Sequence, residues 1–324
     1  SPTMPHRLVH AEPEQVHRTS WTDWRNLAGP TADVGTEAFV RAAGRATRAL
    51  PLDVHHALVD LTDSAPQAGA LLLRGVPIGE LPSTPPTPVA PLIKDHISEL
   101  ALLTVARQLG QPVGYEPELG GELIQNIVPT LAAADRQVST SSKVELMFHT
   151  EAAFHPYRPR YLLLLCLRGD PSARTTLASI HEVLGMLPAD MVDVLFQPRF
   201  RTAVDESYLH GRRNVLGAPM AVLTGRRGRP SMVFDADLMV GTDVAADRAL
   251  HLLGAAVARH HTAVVLQPGD LLVVDNSVAV HGRSPFTPRF DGTDRWLQRT
   301  FVVSDLAPSA ADRNGRVITT RFGA

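Results

Sequence analysis

The chain has 324 residues, of which 20% are charged, with 31 lysines and arginines against 33 aspartates and glutamates. A formal net charge of -2 excludes the broad basic surface that nucleic-acid-binding proteins use, so a small-molecule substrate is favoured. No apolar run reaches the roughly 20 residues of a membrane-spanning helix, and the first residues lack the apolar stretch of a signal peptide. We therefore expect a soluble, cytoplasmic protein.

The single cysteine, Cys166, lies in the apolar run YLLLLCL. A thiol in such a run is expected to be buried and inert, because a reactive cysteine needs an electropositive and partly exposed environment. One cysteine also excludes a disulfide within the chain. The sequence does not define an oligomeric state.

Residues 1–35 are polar and rich in His, Pro and Thr, without hydrophobic periodicity. Such a stretch predicts an extended or poorly ordered arm. Residues 36–110 contain helical patterns, interrupted by a short strand at 71–75 and by a connection whose many prolines disfavour a helix. We therefore expect a helical layer over this part of the chain.

The strongest helical pattern is LIKDHISELALLTVARQLG, at residues 92–110. Side chains spaced three and four residues apart would face the core, and Gly110 would end the helix. These core-facing side chains are Ile93, Ile97, Leu100 and Thr104.

From about residue 120 to residue 305, short apolar runs are separated by turn residues, which predicts the strands of a sandwich or barrel. Two helical patterns interrupt these runs, and the second can begin with Thr242 or Asp243 as its cap. The expected fold class is mainly β with flanking helices, in a single domain of residues 36–324. The predicted strands include VELMFH, YLLLLCL, TTLASI, AVLTG, SMVFDA, LLVVDN and RTFVVSD.

A metal site is indicated by His149 and Glu151, which stand two residues apart in the predicted strand VELMFHTEA. Side chains at this spacing leave the same face of a strand and can converge on one ion. The motif alone is weak, because 14 histidines and 33 acidic residues among 324 predict about 1.4 such pairs by chance. A second copy, His10 with Glu12, stands in the polar arm, where we interpret it as solvated.

A third ligand is available at His281, which ends the short run VAVH after the predicted strand LLVVDN. Two histidines and one carboxylate on a β-scaffold form the facial triad of non-haem iron(II) oxygenases. Zinc could use the same residue types, although zinc hydrolases commonly present them as His-Glu-x-x-His on a helix, which is absent here. The third interpretation is that these residues form only a structural pair whose hydrogen bonds are satisfied, without a metal.

Two arginines downstream favour iron with 2-oxoglutarate as co-substrate. Arg295 and Arg299 follow His281 by 14 and 18 residues in DRWLQRTFVV, so both would leave one face of a strand. A planar guanidinium can hold the distal carboxylate of 2-oxoglutarate through two hydrogen bonds. Surface salt bridges are the alternative role for either arginine.

These segments resemble clavaminate synthase and the related hydroxylases of free arginine and asparagine. The resemblance covers about residues 70 to 305 and rests on LLLRGVPIGELPSTPP, LMFHTEAAFHPYRPRYLLLLCLR and PGDLLVVDNSVAVHGRSPFTPRFDGTDRWLQRTFV. It implies a distorted double-stranded β-helix (jelly-roll) core and an iron(II) centre. It also implies oxidation by O2 coupled to conversion of 2-oxoglutarate to succinate and carbon dioxide, in natural-product pathways such as antibiotic biosynthesis.

The resemblance assigns roles to single residues. The triad of His149, Glu151 and His281 matches the iron ligands, and Arg295 matches the arginine that binds the 2-oxoglutarate carboxylate. Arg299 is expected to support the same site. Thr176 matches a threonine that hydrogen-bonds 2-oxoglutarate, with Thr175 as the alternative one residue away.

In the substrate pocket, the resemblance places Asp235 and Ser139, with Asp237 as a weaker candidate. Glu116 and Glu118, in GYEPELGG, are further candidate contacts for an amino group. Asp235 would pair with a cationic group, so a basic amino acid such as arginine is the expected substrate. The alternative is that these aspartates cap turns.

Residues 205–217, DESYLHGRRNVLG, are polar and end in glycine, which predicts a mobile lid over the pocket. Arg212 and Arg213 could instead accept an acidic substrate, or be solvated. Relatives usually have an acidic residue directly after the carboxylate ligand, whereas this chain has Ala152, so the pocket or lid is expected to differ in detail. Halogenating relatives have Gly or Ala in place of the carboxylate ligand, so Glu151 favours oxygen insertion.

The expected reaction is hydroxylation of an unactivated carbon of a free amino acid. Desaturation and cyclisation of a related substrate are alternatives on the same site. Two other function classes stay open at this point: a zinc hydrolase with the same three ligands, and a non-catalytic binding protein on an oxygenase scaffold.

Overall fold

The computed structural model describes residues 11–17, 20–29, 33–64 and 66–324. The helices are α1 (Trp24–Ala28), α2 (Glu37–Ala46), α3 (Leu52–Ser64), α4 (Ile97–Leu109), α5 (Ile180–Val183), α6 (Ala189–Leu195) and α7 (Val244–Arg259). Short 3-10 segments lie at Thr47–Ala49, Leu119–Gly121, Leu184–Met186, Glu206–Tyr208 and Ala307–Asp312.

Most strands fall after residue 110, as the sequence predicts. They are β1 (Glu14–Val16), β2 (Ala70–Leu73), β3 (Gln111–Tyr115), β4 (Gln125–Ile127), β5 (Leu146–His149), β6 (Tyr161–Arg168), β7 (Thr175–Ser179), β8 (Phe200–Thr202), β9 (Leu223–Arg226), β10 (Arg229–Met232), β11 (Met239–Gly241), β12 (Thr262–Val264), β13 (Leu271–Asp275), β14 (Ala279–Arg283), β15 (Trp296–Val303), β16 (Arg313–Asn314) and β17 (Val317–Ile318).

Two sheets pack face to face at the centre of the described chain. The major sheet has the strand order β1-β2-β13-β6-β15-β3-β17-β16, and β4 also pairs with β15. The minor sheet has the order β12-β7-β14-β5. The helical layer of α1–α4 covers the outer face of the major sheet, and α6 and α7 cover the outer face of the minor one. This arrangement confirms the predicted class, mainly β with flanking helices.

The central strands of the major sheet are buried on both faces. Leu163 and Leu165 of β6 pack toward the helical layer, whereas Leu162 and Leu164 pack between the two sheets. A strand covered on both sides has no polar face, which explains why YLLLLCL is a continuous apolar run rather than an alternating one.

The minor sheet separates two environments by the alternation of its side chains. Leu177 of β7 and Ala279 of β14 face the space between the sheets, whereas Ala178 and Val280 face α7. Every second residue of these strands therefore reaches the interior of the sandwich.

Helix α4 is shorter than its sequence pattern predicts. It begins at Ile97 with His96 as the residue before it, and the Asp95 carboxylate accepts the Ile97 N–H at 3.2 Å. Ile93, expected in the core, lies before the helix and is 96% exposed. Of the other predicted core positions, Leu100 and Thr104 are buried, and Ile97 is half-buried against the core.

Two stretches of the predicted N-terminal arm are part of the fold. β1 pairs in parallel with β2 along Glu14–Val16, and Trp24 of α1 is buried against the helical layer. These contacts give an ordered structure to residues for which an extended or poorly ordered arm was expected. Residues 1–10, 18–19 and 30–32, which include His10 of the second His-x-Glu pair, lie outside the described residues.

The runs AVLTG and SMVFDA form strands, but not strands of the sandwich. They pair with each other as the separate hairpin β9–β10, and β8 pairs with β11 in a second small sheet. After these elements, α7 begins at Val244 with Asp243 as its cap, since the Asp243 carboxylate accepts the Ala246 N–H at 2.8 Å.

Cys166 is fully buried between the sheets, and burial raises the pKa of its thiol to about 12. The expectation of an inert thiol is thereby supported. Within the described parts of the chain, none of the helices combines the length and apolarity that crossing a membrane requires.

Candidate metal and co-substrate site

The three expected metal ligands come together at the edge strand of the minor sheet. His149 ends β5 and pairs directly with His281 of β14 across the antiparallel ladder. Glu151 lies in the turn after β5, not in the strand as its spacing predicted. Asn276 fixes this turn: its amide oxygen accepts the Glu151 N–H at 2.8 Å, and its amide nitrogen donates to the Glu151 carbonyl at 3.0 Å.

The ligand atoms of the triad converge on one point. Nε2 of His149 and Nε2 of His281 lie 3.3 and 3.4 Å from the same carboxylate oxygen of Glu151. Nδ1 of His149 lies 2.9 Å from the Met147 carbonyl, to which it donates when Nε2 carries the free lone pair. Both histidines therefore direct Nε2 toward Glu151.

This geometry fits a small divalent metal ion. The donor atoms lie within 4.8 Å of one another, and ligands about 2.1 Å from an ion lie roughly 3 Å apart at right angles. Two imidazole nitrogens and one carboxylate on adjacent segments leave the remaining coordination positions open, which is the facial arrangement that suits iron(II). Within the described chain, this is the one group of His, Cys, Asp and Glu residues with such spacing.

The triad carries one proton when no metal is bound. Burial disfavours a charge on His149, but Glu151 outweighs it and raises the pKa of His149 to about 10. Burial and the charge on His149 lower the pKa of His281 to about 4. Burial would raise the pKa of Glu151, yet hydrogen bonds from both histidines hold it well below its usual value. A metal ion must therefore displace the proton of His149.

Arg295 is a buried cation without a carboxylate partner among the residues that the structure describes. Its side chain is 7% exposed, and its guanidinium donates to Oγ1 of Thr175 at 3.2 Å. Among the described residues, no aspartate or glutamate lies within ion-pair distance of it. A buried charge is costly unless it is paired, so the site is suited to an anionic group brought by a ligand.

Thr175, and not Thr176, faces this cation. The two residues are neighbours in β7, so their side chains leave opposite faces of the minor sheet. Thr175 points between the sheets toward Arg295. Thr176 pairs with Gly282 and points to the opposite face of the sheet, which α7 covers. Thr175, the alternative one residue away, thus lies beside Arg295, and Thr176, the first choice, lies on the opposite face of the strand.

Arg299 lies beside the metal ligands rather than beside Arg295. Its guanidinium is 3.1 Å from a carboxylate oxygen of Glu118 and 3.9 Å from Glu151. It also donates to Oε1 of Gln125 at 2.5 Å. Arg299 is thus an ion-paired cation at the metal site, in contrast to the unpaired Arg295.

A cavity of about 70 Å³ lies over the triad. Ser139 and Glu118, both expected at the substrate pocket, line it together with Arg299. Asp205 and Ser207, at the start of the predicted lid, also line it. Burial raises the pKa of Asp205 to about 7. The charge on His149 opposes this rise, whereas the carboxylates of Glu151, Asp235 and Glu118 add to it.

Three other expected substrate residues lie elsewhere. Asp235 forms a bridge with His149 through its backbone, but its carboxylate accepts the N–H groups of Asp237 and Leu238 at 2.9 and 2.8 Å, so it caps a turn. Asp237 is exposed. Glu116 forms an ion pair with Arg321 at 2.6 Å, outside the lining of the metal cavity.

Sequence reasoning missed two kinds of residue at this site. Asp205 and Ser207 were visible only as part of a polar lid, and no spacing rule relates them to the triad. Asn276 directly follows the strand LLVVD, and its role depends on a turn 125 residues earlier in the chain. Neither role could be read from a local pattern.

Sequence similarity to known proteins shows which family has this arrangement of residues. Residues 49–301 match the family described as taurine catabolism dioxygenase TauD, TfdA family. The chain belongs to this family. It is 38% identical over 314 residues to the L-asparagine oxygenase of Streptomyces coelicolor, covering 94% of this chain and 91% of the relative. It is 38% identical over 298 residues to the L-lysine 3-hydroxylase of Catenulispora acidiphila, covering 88% and 81%. Clavaminate synthase 2 of Streptomyces clavuligerus is 32% identical, covering 85% and 86%.

Solved structures agree with these relatives. An asparagine oxygenase in complex with Fe(II), 2S,3S-3-hydroxyasparagine and succinate superposes with a TM-score of 0.87 at 35% identity, covering 94% of this chain and 99% of that one. The non-heme iron oxygenase OrfP with Fe and alpha-ketoglutaric acid gives 0.84 at 31% identity, covering 95% and 100%. The jelly-roll core and the resemblance to clavaminate synthase are thereby confirmed, and the TauD/TfdA enzyme described here is an iron(II) and 2-oxoglutarate-dependent dioxygenase.

We expect metal binding to release about one proton near neutral pH, because His149, with a pKa of about 10, must lose its proton to bind. Because the pKa of His149 is raised from 6.5 to about 10, protonation of His149 stabilises the metal-free fold. This stabilisation is complete below pH 6.5 and is lost as the pH rises through 10. The apparent affinity for Mn(II), a redox-stable substitute for iron, should therefore rise about tenfold per pH unit between pH 7 and pH 9. Calorimetric titrations in buffers of different ionisation enthalpy measure both quantities; a flat affinity without proton release would contradict the assignment.

We expect Thr175→Val to weaken 2-oxoglutarate binding about fivefold to tenfold, since it removes a hydrogen bond to a charged group. Thr176→Val, the matched control on the other face of β7, should change the dissociation constant by less than about twofold. Anaerobic calorimetry of the Mn(II)-loaded variants measures both constants. Equal losses, or a larger loss for Thr176→Val, would contradict the expected contact of Thr175 with 2-oxoglutarate.

Proposed function

We propose that this enzyme hydroxylates an unactivated carbon of a free basic amino acid. The observation that carries the proposal is the charge pattern around the triad: the ion pair of Arg299 with Glu118 and the carboxylate of Asp205 all line the cavity over it. We expect the hydroxylated product to serve natural-product biosynthesis, as the resemblance to clavaminate synthase implies.

Arg299 and Glu118 together match the two charges of an amino-acid backbone. Their charged groups are 3.1 Å apart and both side chains are buried, so a substrate can exchange the ion pair for contacts of its own. The guanidinium would bind the α-carboxylate in a planar, two-point contact, and Glu118 would accept hydrogen bonds from the α-ammonium. Ser139 lines the same cavity and offers a further hydroxyl.

Asp205 takes over the role that the sequence suggested for Asp235. Its carboxylate lines the cavity, whereas Asp235 is used in a turn. An ammonium or guanidinium on the substrate side chain would pair with Asp205 at the lid. The lysine 3-hydroxylase among the relatives acts on a substrate of this kind by its name, and supports the choice of a basic side chain.

Co-substrate binding uses the other buried cation. Arg295, with Thr175 beside it, would hold the distal carboxylate of 2-oxoglutarate, while His149, Glu151 and His281 would hold the iron. The bound iron, with 2-oxoglutarate and O2, supplies the oxidant that removes a hydrogen atom from the substrate. The residues of the chain orient the carbon and exclude water. Retention of Glu151 supports hydroxylation over halogenation, because the carboxylate occupies the position that chloride would need.

A panel of free amino acids tests the substrate class. With lysine, arginine, ornithine, asparagine and glutamate, we expect succinate release and a product 16 Da heavier for the basic members. Asp205→Asn should lower kcat/KM for these substrates by about 10-fold to 100-fold, because a buried ion pair loses one partner. Asp237→Asn, at an exposed aspartate, should lower it far less. Activity confined to glutamate, or a greater loss in Asp237→Asn, would contradict the proposal.

A further inference from the structure

The lid over the metal cavity is held at both its neck and its tip. At the neck, the Asn214 side chain accepts the Val204 N–H at 2.9 Å and donates to the Val204 carbonyl at 2.8 Å. Near the tip, Ser207 donates to Glu118 at 2.5 Å, and His210 lies 2.6 Å from the Pro117 carbonyl. The lid is therefore closed onto the loop that carries Glu118.

A third segment, residues 319–324, also holds the lid. Arg213 and Ala324 exchange two backbone hydrogen bonds of 3.0 Å each, as residues of paired strands do. Gly323 lies between these two segments with a φ of +91°, and a Cβ there would lie 2.8 Å from the Arg213 carbonyl oxygen. The close approach of the two segments thus depends on glycine.

Phe322 links the lid to the turn that carries a metal ligand. Its ring packs edge-on against Tyr208 of the lid at 6.0 Å and against Phe154 at 4.9 Å. Tyr208 itself packs on Phe154 at 4.9 Å. Phe154 stands three residues after Glu151, so one aromatic cluster joins the lid, the ligand turn and the 319–324 segment.

The closed lid cannot admit substrate as it stands. The cavity over the triad measures about 70 Å³, whereas sites that enclose a small ligand commonly measure some 300 Å³ or more. An amino acid and 2-oxoglutarate therefore need the lid to open. Opening must separate Tyr208 from Phe322 and Phe154, since these contacts are made by the lid itself.

We propose that Phe322 is a positioning residue for the substrate site: it holds closed the lid that carries Asp205 and Ser207, and substrate enters when its contact with Tyr208 opens. The assignment of substrate to the cavity rests on the proposed function; the contact between Phe322 and the lid does not. Removing the ring destabilises the closed lid without touching the metal ligands or the cavity lining.

Trypsin tests the contact without any assay of activity. Arg212 and Arg213 are lid residues with exposed side chains, while the Arg213 backbone is paired with Ala324. Phe322→Ala should speed cleavage after these residues by about fivefold or more, because proteolysis follows local opening. Cleavage at Arg226 and Arg227, in the distant β9–β10 hairpin, should keep its wild-type rate and serves as an internal control.

Kinetics test the consequence for substrate. Phe322→Ala should raise the KM for the amino acid about fivefold with a smaller change in kcat, and should raise the ratio of succinate to hydroxylated product. Phe322→Tyr should restore both values, and Phe290→Ala, an exposed aromatic away from the lid, should leave them unchanged. If no amino acid is turned over, the proposed function fails while the trypsin result still decides the lid contact.

Wild-type lid cleavage in a folded Phe322→Ala variant would overturn the inference. If hairpin cleavage rises as well, the variant is unfolded, and hydrogen exchange of the wild-type enzyme decides instead. Peptides covering residues 205–217 and 318–324 should then exchange at one common rate, because the two segments open together. Clearly different rates would overturn the inference.

Discussion

The antiparallel pairing of β14 with β5 determines the metal centre, because it places His281 directly opposite His149. Side chains alternate along these strands, so a slip of one residue would turn His281 toward α7 and break the triad. The pairing alone does not bring Glu151 into place. Asn276, at the end of β13, makes two hydrogen bonds to the backbone of Glu151 and turns its carboxylate back toward both histidines.

The same alternation places the charges of the site. Arg295 and Thr175 meet between the sheets, where a guanidinium without a carboxylate partner is costly. Arg299, four residues later, also points inward but is neutralised by Glu118. The interior thus holds one cation that needs an anionic ligand and one that is already paired. This difference supports separate roles for two arginines that the sequence had assigned to a single site.

The triad, Arg295 and the mainly β fold could be predicted from the sequence, because they depend on strand spacing and on motifs near one another in the chain. Positions that depend on distant segments could not. Ile93 fits the helical period, yet α4 begins only at Ile97. Thr176 faces away from Arg295 because the pairing of β7 with β14 sets which face each threonine occupies. Asp205 carries no local signal, since only the folded position of residues 205–217 brings it to the cavity over the triad.

Anaerobic addition of Fe(II) and then 2-oxoglutarate to the folded protein tests the central claim most directly. We expect a visible charge-transfer band that appears only when both are present and that needs far more 2-oxoglutarate in Arg295→Ala. Absence of the band in well-folded wild-type protein would contradict the account of the metal centre. An unchanged titration in Arg295→Ala would contradict the role given to the unpaired cation.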